Sequence, residues 1–170
     1  MTKSYERIKN FSTAIAVVRT IAEIEKMLAK YGATKIMKEY DLDGNPAVLI
    51  FGIMTERGEM PIRLPIKVDK IMDVFKLQVS NNKLPGKFWG TDWAKEQAAR
   101  VGWRIIKDWL DAQLTLLNIE MVKVEEIFLP YMYYDKLGKT VFELLEERNF
   151  DLALLASHDD RKKVIDVGKR

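Results

Sequence analysis

Cysteine is absent from the 170 residues, and histidine occurs once, at His158. The chain therefore has no disulfide framework, no thiol nucleophile and no thiolate metal ligand. We interpret His158 as a solvated residue of a charged C-terminal segment. No apolar run approaches the roughly 18 residues of a transmembrane helix, and the N-terminal MTKSYERIKN has no apolar signal core. We expect a cytoplasmic protein that does not contact a membrane.

Signatures of catalysis are also missing from the sequence. It contains no G-x-S-x-G nucleophile motif, no phosphate-binding loop and no dinucleotide fingerprint. Residues 41–45, DLDGN, resemble the start of a calcium loop, but Gly44 comes two positions early and Gly52 stands where a calcium loop has its glutamate. A hairpin turn explains this segment better. We predict that the protein is not an enzyme and needs neither a cofactor nor a metal.

The charge of the chain is nearly balanced. The formal net charge is +3, from 28 Lys and Arg against 25 Asp and Glu. Residues 1–90 hold 15 basic and 10 acidic residues (+5), and residues 91–170 hold 13 and 15 (−2). Any surface that binds an anion must therefore arise from the local placement of charge rather than from the total.

The first two thirds of the chain mix strand and helix patterns. The β-branched residues 11–18 predict a strand, and a capping box of Thr20 and Glu23 then opens a helix over 21–31 that ends at Gly32. Three strands with short turns between them are predicted at 33–40, 47–54 and 60–66. Short connections make neighbouring strands antiparallel. The middle strand, apolar on both faces, should be central, and Pro61 and Pro65 should place the third at an edge.

Helical spacing dominates the remainder. We predict helices over 67–78, over 91–120, in a short segment that stops near Pro130, and over 141–147 behind a capping box of Thr140 and Glu143. Thr91 or Asp92 can cap the start of the long helix. The order β-α-β-β-β-α-α-α predicts an α+β fold: a four-stranded antiparallel sheet with helices on one face and one long central helix. A single domain should cover 1–156, with a loose arm at 1–10 and a disordered charged tail at 157–170.

A stripe on the long helix is the main functional lead. Arg100, Trp103, Arg104 and Lys107 recur at steps of three and four, which places three cations beside one indole. Cations can hold phosphates, and an aromatic face can stack on a base. In the alternative interpretation, Trp103 belongs to the core and the cations form ion pairs four residues apart, Arg104 with Asp108 and Lys107 with Asp111.

Two other places add candidate contacts. Lys87, Phe88 and Trp89 stand in a loop rich in Gly and Pro, where large aromatics either cover the long helix or stack on a ligand. Arg63, between two prolines on the third strand, would add a cation to the face of the sheet.

Several segments resemble a family of small, uncharacterised phage and prophage proteins. The resemblance covers residues 11–147 and rests chiefly on WRIIKDW at 103–109 and FLPY at 128–131, supported by IRLPIKV at 62–68. It implies a protein of the host-cell cytoplasm, and replication or recombination accessories are common among such proteins. The predicted layout also resembles the single-stranded DNA-binding proteins of Thermoproteales that lack an OB fold.

These observations lead to two functional hypotheses. The first is a single-stranded nucleic-acid-binding accessory protein that stacks bases and holds phosphates on eight residues: Arg63, Lys87, Phe88, Trp89, Arg100, Trp103, Arg104 and Lys107. Its partner would be single-stranded DNA or RNA. The alternative is a protein-interaction module, either a phage structural factor or an inhibitor of a host enzyme. Leu110, Leu114 and Leu117 would then form a second apolar face through which the long helix makes a homodimer.

Overall fold

A computed structural model describes residues 8–86 and 90–150. The strands are β1 Ala33–Tyr40, β2 Pro46–Thr55, β3 Gly58–Pro65, β4 Tyr133–Tyr134 and β5 Lys139–Thr140. The helices are α1 Val17–Lys30, α2 Val68–Ser80, α3 Asp92–Asn118, α4 Val124–Phe128 and α5 Val141–Glu147. The α+β class is therefore confirmed. Among the described helices, none combines the length and apolarity needed to cross a membrane.

The prediction of a four-stranded sheet is wrong. The main sheet has three antiparallel strands in the order β1-β2-β3, and β4 and β5 form a separate two-stranded sheet. The predicted strand at 11–18 does not exist. The amide of Thr20 already donates to the carbonyl of Ala16, so Thr20 lies inside α1 and does not cap it. One buried helical face, Thr20, Ile21, Ile24 and Leu28, overrides the local β-propensity.

The other local predictions are largely confirmed. β2 is the central strand, and β3 lies at the opposite edge from β1. The side chain of Thr91 accepts from the amide of Ala94 at the start of α3. Thr140 and Glu143 form the predicted capping box, and the donating amide of Thr140 holds the pKa of Glu143 below its usual value. The cap at Thr91 and the capping box at Thr140 depend on groups within a few residues of one another, which is why the sequence reveals them.

The main core lies between one face of the three-stranded sheet and the helices α1 and α3. Register places Ile36, Phe51 and Ile62 side by side on this face. The core side chains that are fully or almost fully buried are Ile24, Leu28, Leu49, Phe51, Ile62, Leu64, Trp103, Leu110, Leu114 and Phe128. Because α3 passes between the sheet, α1 and α2, it is the element that unites the fold.

A second, smaller core lies between α2, α3 and the segment before α1. Ile8 and Phe11 pack there, and Phe11 meets Phe75 edge to face with 5.3 Å between ring centroids. The side-chain amide of Gln97 donates to the carbonyl of Phe11 at 2.6 Å and to that of Thr13 at 2.9 Å. Residues 8–10 are therefore attached to α3, contrary to the prediction of a loose arm. Residues 1–7 and the predicted tail at 157–170 lie outside the described residues.

Candidate functional site

Trp103 is fully buried, which contradicts its predicted role as a stacking platform. Its side chain is 0% exposed, and its indole N–H donates to the carbonyl of Pro46 at 3.1 Å. Every residue from Gln97 to Leu110 is buried or half-buried. The prediction assumed one apolar stripe on α3, but the helix is covered on several sides, so residues off that stripe are also buried. Trp103 cannot contact a base in this conformation.

The three cations beside Trp103 already have acidic partners. Arg104 contacts Glu23 of α1 at 2.6 Å, Lys107 contacts Asp111 at 3.3 Å, and Arg100 pairs with Glu96 one turn earlier. All three cations are mostly buried. Their charges are therefore neutralised within the fold, which removes most of the attraction that a phosphate would feel. The prediction of a basic stripe facing solvent is wrong for this part of α3.

One predicted ion pair is replaced by a longer-range one. Arg104 does not pair with Asp108, because Asp108 receives Lys9 at 2.9 Å and the side-chain amide of Asn10 at 3.0 Å. Burial alone would raise the pKa of Asp108, but these hydrogen bonds outweigh it and lower the pKa below its ordinary value. Arg104 instead links α3 to α1. Spacing along α3 could not reveal that Arg104 pairs with Glu23 or that Asp108 pairs with Lys9, because Glu23 and Lys9 belong to other segments of the chain.

The apolar second face predicted on the long helix is also internal. Leu110 and Leu114 are 0% exposed, and Leu117 packs against the main core. These residues meet the rest of their own chain. The long helix therefore offers no leucine face to a second subunit, and a homodimer through these leucines is ruled out in this conformation.

Arg63 is the only predicted contact on the sheet, and its position is tightly defined. Its guanidinium lies 2.8 Å from Glu39 of β1 and 5.6 Å from the centre of the Tyr133 ring. Its charge also helps to lower the pKa of Glu143, behind the larger effect of the Thr140 amide. Arg63 is thus a structural link between the sheet and the C-terminal segment. Lys87, Phe88 and Trp89 lie outside the described residues.

The face of the sheet that turns away from α1 and α3, here called the open face, carries apolar side chains. Register places Met37, Ile50 and Arg63 side by side on it, and Met54 follows on the same side of β2. Met37 is 56% exposed and Met54 is 59% exposed. Met37 lies beside the centre of β2, and Met54 lies near the end of β2 at the turn to β3. Leaving two large apolar side chains this exposed to water forgoes the free energy that their burial would give. The sequence of β2 is apolar on both faces, but this pattern alone does not show that one of the faces is left uncovered.

Ion pairs frame the apolar part of the open face. Lys35 contacts Glu59 at 2.9 Å, and Thr34 also donates to Glu59, so one carboxylate reaches across β2 from β3 to β1. Donation from Thr34, then from Lys35, lowers the pKa of Glu59. Arg63 and Glu39 form the corresponding pair on the other side of Met37. The charges of the open face are thus paired across the strands.

The two edges of the main sheet differ. Met132 forms a bridge to Ile62, which covers part of the outer edge of β3. No described strand pairs with the outer edge of β1. The side chains of Thr34, Lys35, Met37 and Tyr40 are exposed along β1. The outer edge of β1 is therefore the free edge of the sheet, and its backbone groups have no strand partner among the described residues.

Comparison with known proteins adds no assignment. No protein-family model, no curated protein and no solved structure matches the chain. The resemblance to phage and prophage proteins thus remains a prediction. Within residues 8–86 and 90–150, no three His, Asp or Glu side chains are grouped so as to hold a metal ion. The open face and the free edge of β1 are the features that the geometry offers for binding.

Proposed function

We propose that the protein is a non-enzymatic interaction module that binds another protein chain through the open face and the free edge of its three-stranded sheet. The observation that carries this proposal is the exposure of two methionines on the open face, Met37 and Met54, with the half-buried Ile50 between them. The same sheet buries most of its other face against α1 and α3. An apolar surface left accessible on an otherwise well-packed domain is typical of a site that a partner covers.

The chemistry of this surface suits a protein partner. Methionine side chains are flexible and polarisable, so they adapt to the shape of an apolar surface. The ion pairs Lys35–Glu59 and Arg63–Glu39 lie on either side of Met37. Charged groups around an apolar centre favour one orientation of the partner and disfavour others. Backbone groups at the free edge of β1 would add main-chain hydrogen bonds.

Photo-crosslinking tests the proposal directly. Benzoylphenylalanine at position 54 should crosslink to a discrete protein in the cells that express the chain, and that protein is then purified. Its affinity for the wild-type chain should fall at least about ten-fold on Met54→Glu, because a buried charge opposes docking. Met121→Glu is the matched control, since Met121 is 67% exposed but lies outside the sheet.

The result that overturns the proposal is a purified partner whose affinity is the same for wild type, Met54→Glu and Met121→Glu. Binding would then use another surface. The absence of any specific crosslink at positions 37 and 54 would have the same consequence.

The nucleic-acid hypothesis remains a prediction with fewer supporting contacts. Trp103 is buried, and Arg100, Arg104 and Lys107 are paired with acids. Lys87, Phe88 and Trp89 lie outside the described residues and still carry the hypothesis. A gel shift with oligo-dT over a salt series tests it. Binding at low salt that Trp89→Ala abolishes would favour nucleic acid over a protein partner.

A further inference from the structure

The free edge of β1 carries side chains in an order that is complementary to itself. Lys35, Met37 and Glu39 occupy alternate positions, so they lie on the same open face. Read in one direction the order is cation, apolar, anion, and read in the other it is anion, apolar, cation. An antiparallel copy of the strand placed beside it therefore meets opposite charges at both ends.

We propose that the partner of the free edge is a second copy of this chain, paired antiparallel along β1 about a two-fold axis at Met37. This inference rests on the proposed function and names its partner. The two sheets then join into one antiparallel sheet of six strands. Each Lys35 lies directly opposite Glu39 of the other copy, and the two Met37 side chains meet at the axis. Opposite-charge and apolar pairs directly across two strands stabilise a sheet.

Neighbouring positions for the axis are less favourable. An axis at Lys35 or Lys38 would set two lysines against each other, and an axis at Glu39 would set two glutamates together. Like charges directly opposite destabilise a sheet. A slip of one residue would place the open face of one copy beside the packed face of the other. The axis at Met37 avoids all of these arrangements.

The ion pairs within each copy continue the alternation of opposite charges across the joined sheet. Lys35 already contacts Glu59, and Glu39 already contacts Arg63, both across β2. In the dimer the charges alternate across the joined sheet: Glu59 and Lys35 of one copy, then Glu39 and Arg63 of the other. The Lys35 side chain is 69% exposed and that of Glu39 is 41% exposed, so each has room for a second partner.

Pairing of backbone groups and burial of Met37 would stabilise the dimer in addition to the opposite-charge pairs. The outer edge of β1 exposes donors and acceptors that a second strand satisfies, while β3 is already partly covered by Met132. Met37, 56% exposed in one copy, becomes covered by its equivalent. The open faces also become continuous, which widens the apolar surface on that side of the sheet.

Charge-reversal variants test the register. Lys35→Glu makes both facing positions acidic, and Glu39→Lys makes both basic, so each variant alone should dimerise at least about ten-fold more weakly than wild type. A mixture of the two restores opposite charges at both positions, and heterodimers should form with affinity close to wild type. Sedimentation over a concentration series measures this, with wild type at twice the 19.7 kDa chain mass. Circular dichroism and melting temperature check that each variant is folded.

Cysteine crosslinking tests the axis independently. The chain has no cysteine, so Met37→Cys introduces a single thiol. Residues directly opposite in antiparallel strands have Cα atoms about 4.5–5.5 Å apart, which suits a disulfide. Under mild oxidation Met37→Cys should form a disulfide dimer in high yield. Met54→Cys, equally exposed on β2, should not, because β2 lies one strand away from the joined edge.

Three results would overturn the inference. They are a wild-type protein that sediments as a monomer at high concentration, a dimer that both charge reversals leave intact, or equal disulfide yields at positions 37 and 54. A monomer whose purified partner still depends on Met54 would leave the proposed function standing. A dimer of the stated register without any other partner would support the inference and complete the proposed function.

Discussion

The stripe on α3 and the open face of the sheet differ from their sequence patterns in opposite ways. The stripe, predicted to face solvent, is buried, and the open face, which is apolar, is accessible to solvent. The α3 stripe has three cations and an indole, yet Trp103 is buried and each cation has an acidic partner. The open face has apolar residues in a strand, yet Met37 and Met54 are more than half exposed. Amphipathic spacing indicates which residues share a face. It does not indicate whether another element covers that face.

The largest expected effect separates the two regions by stability. Trp103→Ala should lower the free energy of unfolding by about 3–5 kcal/mol, because it leaves a cavity and deprives the Pro46 carbonyl of its donor. Met54→Ala on the open face should change it by less than about 0.5 kcal/mol. Urea unfolding measures both. Equal stability of the two variants would show that α3 is not packed as described.

Gly102 on α3 and Gly52 on β2 allow the packing of the two regions to be compared by substitution with alanine. A Cβ at Gly102 would lie 2.8 Å from Ile71 and 2.9 Å from Ile66, both in the packed interior. Overpacking should outweigh the gain in helix propensity, so Gly102→Ala should destabilise by roughly 1 kcal/mol. A Cβ at Gly52 meets chiefly the end of the Glu59 side chain, which can move outward. Thermal unfolding should show Gly52→Ala within about 0.5 kcal/mol of wild type, and the reverse order would contradict this account.

The ion pairs of α3 should differ in strength. Arg104 joins α3 to α1 through Glu23, and its side chain is only 20% exposed. Arg104→Ala should lower the free energy of unfolding by roughly 1 kcal/mol, which is the upper end of the range for partly exposed ion pairs. Lys107→Ala, which breaks a pair within one helix, should cost less than about 0.5 kcal/mol. A double-mutant cycle with Glu23→Gln isolates the Arg104 contribution. A coupling free energy near zero would show that Arg104 acts only through packing.

The smallest effect is a dependence on pH. The pKa of Asp108 is lower in the folded chain than the ordinary value of about 4, so its hydrogen bonds to Asn10 and Lys9 stabilise the fold above that value. This stabilisation is lost as the pH falls through the folded pKa. Unfolding at pH 7 and pH 3 should therefore show that Asp108→Asn is destabilised relative to wild type by a larger amount at pH 7 than at pH 3. A difference that persists unchanged at pH 3 would contradict the assignment.

Local chemistry was enough to predict much of the fold. The three strands, the turns between them and the helices α2, α3 and α5 lie within two residues of their predicted bounds at nearly every end. The capping box at Thr140 and the cap at Thr91 were also predicted. These features depend on hydrogen bonds and turns among near neighbours, so they are legible in the sequence.

The errors have a common origin in distant contacts. In the segment 11–16, residues 11–12 lie in turns and residues 13–16 form no regular secondary structure. The side chain of Gln97, 84–86 residues away, donates to the carbonyls of Phe11 and Thr13 in this segment. α1 begins at Val17, which packs against the main core together with Ile21 and Ile24, one and two turns further along the helix. The candidate site on α3 failed for the same reason, since Glu23 and Pro46 belong to other elements.

For this protein the sequence by itself determined the order and type of most elements, because the periods of 2 and 3.6 and the turn residues act over a few positions. Only the tertiary structure decided which faces are covered. α3 passes between α1, α2 and the sheet, so a stripe that resembles a binding surface became interior. The helices α1 and α3 cover one face of the sheet, so Met37 and Met54 on the other face are accessible to solvent. Coverage depends on the packing of elements far apart in the chain, which no local pattern encodes.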